Sequence, residues 1–249
     1  MVAAASLLAG CIDALMGGGG LILLPALLGT YPQVAPATLF GTNKGGAVWG
    51  TALAAWRYAR QVPLRWASLL PAVGAAWLGS AWGAWAVTQV DPSGLRRALP
   101  VLLVGVLVYT LVRKDLGRVH QPRWTGGLEA AVAGALGLCI GFYDGFFGPG
   151  TGSFFVFAWV RLMGHDFLSA SAHAKVLNTA TNVSALTLFS LSGHVWWQVA
   201  AVLAVANMAG SLLGTHLALR HGSGLVRQVF IVVVGLLILK TGYDAYALM

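Results

Sequence analysis

The sequence predicts an all-α polytopic membrane protein with two homologous repeats, each beginning with a Gly-broken or re-entrant helix. Three observations predict it. The 249 residues are 58% hydrophobic and only 9% charged, where a soluble domain would have roughly a quarter of its residues charged. The apolar residues fall into about eight runs of roughly 20, the length that crosses a bilayer core. The sequence also matches itself when shifted by about half its length.

In chain order the apolar segments are 2–29, 36–56, 66–88, 94–112, 126–162, 168–191, 195–219 and 225–246. The first is broken by Gly17–Gly20 and the fifth at Gly148–Gly152. Trp56, Trp66, Trp124, Trp196 and Trp197 stand at segment ends, as an interfacial aromatic belt requires. The first run contains Asp13 and has no small-residue cleavage site, so a cleaved signal peptide is not expected. The net charge of +8 does not point to nucleic acid, because most Arg and Lys flank apolar runs in short loops. Cys11 and Cys139 lie inside apolar stretches and read as small buried hydrophobes. Two cysteines cannot make a four-ligand zinc site, and no cofactor is expected.

A shift of 131 residues aligns Gly10 with Gly141, Asp13 with Asp144, Gly17 with Gly148 and Lys44 with Lys175. It also aligns Gly79-Ser80 with Gly210-Ser211 and Gly83 with Gly214. A shift of 130 aligns Ser93-Gly94-Leu95 with Ser223-Gly224-Leu225. The matched Asp and Lys carry the argument, because ionisable residues are rare inside such spans. The predicted organisation is repeat 1 over 1–112, a basic connecting loop over 113–125, and repeat 2 over 126–249. Paired repeats with helices broken at corresponding places are characteristic of secondary transporters, whose sites lie where the repeats meet.

A helix broken in lipid leaves backbone groups unpaired, which is tolerated only inside protein or beside a watery cavity. The breaks therefore predict cavity-lining residues: Gly18, Gly19 and Gly20 in the first, and Gly150, Thr151, Gly152 and Ser153 in the second. The half-helix after each break offers N–H groups and a positive dipole end to an anion. The bland reading is a pair of kinks for tight helix packing.

Lys44 and Lys175 each lie within the segment that follows a break. A lysine at bilayer depth costs roughly 2.5–3.5 kcal/mol and is a functional candidate by default; the alternative is snorkelling to the interface. Each lysine can fold back toward its own repeat's break, giving a compact electropositive pocket. Asn43, His173, Asn178 and Asn182 share faces or turns with the lysines; the first three complete the predicted substrate-binding set, unless such residues act as helix–helix glue. Asp13 and Asp144 precede the breaks by one helical turn. They read as ion-pair partners of the lysines, as caps, or as proton carriers. Trp77, Trp82 and Trp85 read as packing.

At "GCIDALMGGGGLILLPALL", "GTNKGG", "GFYDGFFGPGTGSFF" and "SAHAKVLNTATN" the chain resembles the TauE/SafE sulfite exporter family, also called the toluene sulfonate uptake permease family. The resemblance runs over essentially the whole chain. It implies transport of small sulfur-containing or organic anions, such as sulfite, thiosulfate or sulfonates, across the bacterial inner membrane. Family members differ in substrate, so none is singled out.

If each broken segment crosses, there are eight spans and the repeats are parallel. If each is re-entrant, every repeat crosses three times and the repeats are inverted. The inverted arrangement gathers Arg57, Arg60, Arg65, Arg113, Lys114, Arg118, Arg123, Arg161, Arg220 and Arg227 on one side, leaving Arg96, Arg97 and Lys240 on the other. The positive-inside rule favours it, with both termini outside. The leading function is a secondary transporter working by alternating access; proton or cation coupling and homo-oligomerisation stay open. The rivals are a passive anion channel and an intramembrane aspartyl protease. The protease reading is weak, because paired lysines would hold both carboxylates ionised where the mechanism needs a shared proton.

Overall fold

The computed structural model describes residues 1–91 and 123–221, and within these the regular structure is helical. The expected segments 94–112 and 225–246 lie outside the described residues, as do Arg96, Arg97, Arg113, Lys114, Arg118, Arg227 and Lys240. Helix α1 is Val2–Met16 and α2 is Gly20–Thr30, with the break between them where the glycines predict it. Helix α3 is Pro36–Ala59 and α4 is Trp66–Thr88. In the second half, α5 is Gly126–Phe146, and α6 is Thr151–Ala158, which runs into a π-helical turn, Trp159–Met163. Helix α7 is Phe167–Leu191 and α8 is Trp197–His221.

Local chemistry explains the helix starts. Pro36 opens α3 at a position where a missing N–H costs nothing. Asp166 caps α7, its carboxylate accepting from the N–H groups of Leu168 and Ser169 at 2.9 and 3.1 Å. Glycines at positive φ, Gly17 (77°) and Gly150 (84°) among them, turn the chain at the two breaks in a conformation that side chains resist.

Both broken segments turn back on themselves. The Arg123 N–H donates to Met163 O at 3.1 Å and Trp124 Nε1 donates to Leu162 O at 2.8 Å. The beginning of α5 and the end of the π-helical turn are thus neighbours, and residues 123–163 form a hairpin. In the first half, a Cβ added at Gly19 would meet Ala9 O and Asp13 Cβ, so the chain has reversed onto α1 by the start of α2. The tips of the two hairpins touch backbone to backbone. Ser153 Oγ donates to Gly17 O at 2.8 Å, and a Cβ at Gly17 would overlap the Gly152 backbone.

Around these hairpins, helices of opposite halves pack closely. Gly79 and Gly83 of α4 lie against Leu138 O and Phe142 O of α5, while Gly210 and Gly214 of α8 lie against Leu7 O and Cys11 O of α1. Ser80 Oγ donates to Thr181 O at 2.8 Å, and Ser211 Oγ to Gly50 O at 2.6 Å. In every case the two contacts join positions one 131-residue shift apart. Small residues at helix contacts allow such approach where lipid offers no hydrophobic drive.

The outer faces are apolar. Trp49, Trp56, Leu70, Leu78, Trp82, Trp85, Val205 and Leu213 are all more than half exposed, a surface that water would penalise. By length and composition Gly126–Phe146 and Trp197–His221 qualify as membrane-crossing helices. Helices α3, α4 and α7 match them in length but have lower hydropathy: α3 and α7 carry the polar residues of the centre, and α4 is rich in Trp, Gly and Ser.

Candidate functional site

The two hairpin tips, α3, α7 and α8 enclose a small cavity of about 30 Å³. Asp13, Asn43, Lys44, Thr51, Asp144, Thr151, Asn178, Asn182 and Asn207 supply its polar lining, and Gly18, Gly19, Gly20, Gly148, Gly150 and Gly152 bring backbone to it. Neither α2 nor α6 has a side chain capping its first turn, and both helices begin at the cavity wall. The Leu21 and Ile22 N–H groups of α2 already donate to Gly18 O and Gly19 O at 2.9 and 3.0 Å, and the Thr151 N–H of α6 to Gly148 O at 3.2 Å, so the first-turn N–H groups left on the cavity wall are those of Gly20 and Gly152.

Two buried ion pairs flank the tips. Lys44 Nζ lies 2.6 Å from Asp144 Oδ2, with side chains 5% and 2% exposed. Lys175 Nζ donates to Asp13 Oδ2 at 3.1 Å, with side chains 0% and 12% exposed. Each lysine thus reaches the aspartate of the other half, whereas the sequence suggested its own. The reason is the meeting of the hairpins at the centre: the tip of one half lies beside the long helix of the other. Lys44 Nζ sits 3.4 Å from where a Gly148 Cβ would stand. Charge is also balanced, not concentrated as two lysines alone would make it. Neither ammonium snorkels to the surface.

The surroundings of the two pairs differ. Thr51 Oγ1 lies 3.4 Å from Asp13 Oδ2 and itself accepts from Asn182 Nδ2 at 3.5 Å. Among the described residues Asp144 Oδ2 has no hydrogen-bond partner beyond its contact with the Lys44 ammonium. Next to Lys44, the buried Asn43 lines the cavity, its Oδ1 without a partner among the described residues. Tyr143 Oη donates to Pro149 O at 2.6 Å and steadies the second tip.

Of the residues predicted to bind substrate, the structure brings Asn43, Lys44, Asn178, Gly18, Gly19, Gly20, Gly150, Thr151 and Gly152 to the cavity. Lys175 stands behind Asp13, and Ser153 is spent on the Gly17 carbonyl. His173 lies elsewhere: its Nε2 accepts from the Arg65 N–H at 3.2 Å, its Nδ1 is 2.7 Å from Ser169 O, and its ring packs against His165. Two positions apart on a helix means opposite sides, so His173 cannot share the face of Lys175. Thr51 and Asn207 were missed. Thr51 could have been found, since it lies seven residues beyond Lys44 on the same face and aligns with Asn182 under the 131-residue shift. Asn207 aligns with Ala76 and gave no such signal.

The family model described as Sulfite exporter TauE/SafE matches residues 2–241. The chain is 36% identical over 242 residues to the probable membrane transporter protein YfcA of Escherichia coli K12, covering 97% of this chain and 88% of that one. It is 35% identical over 230 residues to the probable membrane transporter protein ORF9 of a Sinorhizobium species, with 92% and 86% covered. It is 35% identical over 234 residues to a probable membrane transporter protein of Haemophilus influenzae Rd, with 94% and 90% covered. No solved structure matches the chain. These names are those of transporters and not of enzymes. With the family model spanning nearly its whole length, the chain is a membrane protein of the TauE/SafE sulfite exporter family.

Proposed function

We propose that the protein is a multi-pass secondary transporter of the bacterial inner membrane that carries small sulfur-containing or organic anions. The cavity between the hairpin tips is its site, exposed alternately to the two sides. The observation that carries this reading is the convergence of two uncapped helix starts, Lys44 and the amides of Asn43 and Asn178 on one buried cavity. Helix N-termini and an ammonium are the groups that recognise an oxyanion. The asparagines add hydrogen bonds without further charge.

The two halves act as inverted repeats. The matched contacts one 131-residue shift apart support this, and so does the closure of residues 123–163 into a hairpin that enters and leaves on one side. Rocking one half against the other would open the cavity to either side in turn. A reporter fused to the C-terminus should be active outside the cytoplasm; cytoplasmic activity would exclude the inverted arrangement.

The function is tested with purified protein in lipid vesicles. Sulfite, sulfate, thiosulfate, methanesulfonate, sulfoacetate and taurine are offered with an imposed pH or sodium gradient. Accumulation of one of them above its external concentration is the expected result. Flux that only equilibrates would make the protein a channel, and no flux of any of them would remove the anion reading.

A further inference from the structure

We infer that Lys44 is the substrate-binding lysine, that the bound anion replaces Asp144 on its ammonium, and that the displaced Asp144 takes up one proton. The inference rests on the anion-transport reading and gives it a coupling ion. Lys175, by contrast, serves to hold Asp13.

The two pairs divide in this way because of what surrounds them. Lys44 and Asp144 both line the cavity, and Lys175 does not. Lys44 Nζ reaches the turn before α6, whose Thr151 and Gly152 also line the cavity, and Asn43, the preceding residue, lines it too. An anion in this corner meets an ammonium, an amide and a helix start together. Lys175 is fully enclosed and its ammonium is committed to Asp13, which Thr51 also approaches.

An anion at Lys44 cannot share the ammonium with an ionised Asp144 in a low-dielectric site, because one cation would then face two anions. No other cation is at hand among the described residues. The remaining charges around the cavity are Asp13 from α1, and Lys175 from α7, which Asp13 already holds. Tyr143, on the helix of Asp144, is a neutral phenol donating to Pro149 O. Helices α2, α4 and α6 carry no titratable side chain. The exchange balances as carboxylate–ammonium pair plus anion plus proton, giving neutral carboxylic acid plus anion–ammonium pair. The proton comes from the side that supplies the anion. The charge of the buried centre is unchanged for a monoanion, so the loaded site can move through the membrane without an uncompensated charge. When the anion leaves, Asp144 returns to Lys44 and releases its proton to the same side. The protein therefore moves anion and proton together.

The probe is whichever of sulfate, thiosulfate or methanesulfonate accumulates in the vesicle assay, since none of these changes its own charge between pH 5.5 and pH 7.5. Binding to the purified full chain should weaken about tenfold for each unit rise in pH, the slope for one proton taken up. Asp144→Asn should bind the anion with no pH slope. Asp144→Asn combined with Lys44→Met, which removes both charges and so keeps the fold, should bind about 100-fold more weakly at every pH. The Asp13→Asn/Lys175→Met pair, with Asp13 on the cavity wall, should shift the affinity and still keep the slope, because Asp13 carries none of the exchanged proton. A slope that persists in Asp144→Asn, or wild-type affinity in the Lys44 double variant, would overturn the assignment while leaving anion transport intact. Accumulation of none of the three probes would overturn it together with its premise.

Discussion

Asp13–Lys175 and Asp144–Lys44 are made of the same two residue types at positions one 131-residue shift apart, yet they sit in different surroundings. The first is enclosed on the lysine side, has the longer contact of 3.1 Å, and has a hydroxyl and an amide behind it. The second is short at 2.6 Å, has no further hydrogen-bond partner at Asp144 Oδ2 among the described residues, and presents both members to the cavity. The comparison teaches that like residues at matched positions need not share surroundings. On the exchange inferred above, one pair ties the halves together while the other exchanges partners.

Breaking the enclosed pair should have the largest effect on stability. Lys175→Met leaves Asp13 without its ammonium, and losing one partner of a buried pair costs about 3–5 kcal/mol. Thermal unfolding in detergent should show a large drop, most of it restored by adding Asp13→Asn. A loss that the second substitution does not restore would mean that the lysine packs and does not pair.

The hairpin tips sharpen the same contrast. Gly17→Ala should cost about 2–4 kcal/mol, because a Cβ there would overlap the Gly152 backbone and force a side chain to positive φ. Gly20→Ala, in the same run of glycines, meets Pro149 Cα at 3.3 Å, with Gly148 O and Pro149 N at an ordinary 3.7 Å, and should cost less than about 1 kcal/mol. Equal losses at the two positions would contradict the backbone contact between the tips.

On the exchange inferred above, in which Asp144 takes a proton when it loses its ammonium, Lys44→Met should destabilise by only about 1–3 kcal/mol. Its main effect should be on ligand binding. A comparably small effect is expected at Arg65, whose partly exposed guanidinium lies 2.9 Å from the buried Glu129. Arg65→Ala should cost about 1 kcal/mol or less, because Ser68 Oγ still donates to Glu129 and solvent screens the pair.

Much of this architecture was legible in the sequence. The apolar runs end where glycine, proline and charge end them, so the helices begin and end within a few residues of the expected limits. Asp13, Lys44, Asp144 and Lys175 stood out because a charge in such a run demands an explanation. Their partners were not legible. A sequence shift relates positions but says nothing of proximity, and only the crossing of the hairpins decides that Lys44 meets Asp144. Asn207 was invisible for a different reason: a neutral amide in an apolar helix reads as ordinary helix–helix contact. His173 was over-read from its closeness to Lys175 in sequence, which helical geometry turns into opposite faces.

The division of labour between the two pairs is tested most directly by ligand-induced thermal stabilisation in two charge-neutral double variants, Asp13→Asn/Lys175→Met and Asp144→Asn/Lys44→Met. A transported anion at 100 times its Kd should stabilise wild type by about 2.7 kcal/mol. The account predicts that the first variant keeps most of this stabilisation and the second loses it. Stabilisation lost in the first and kept in the second would contradict the account.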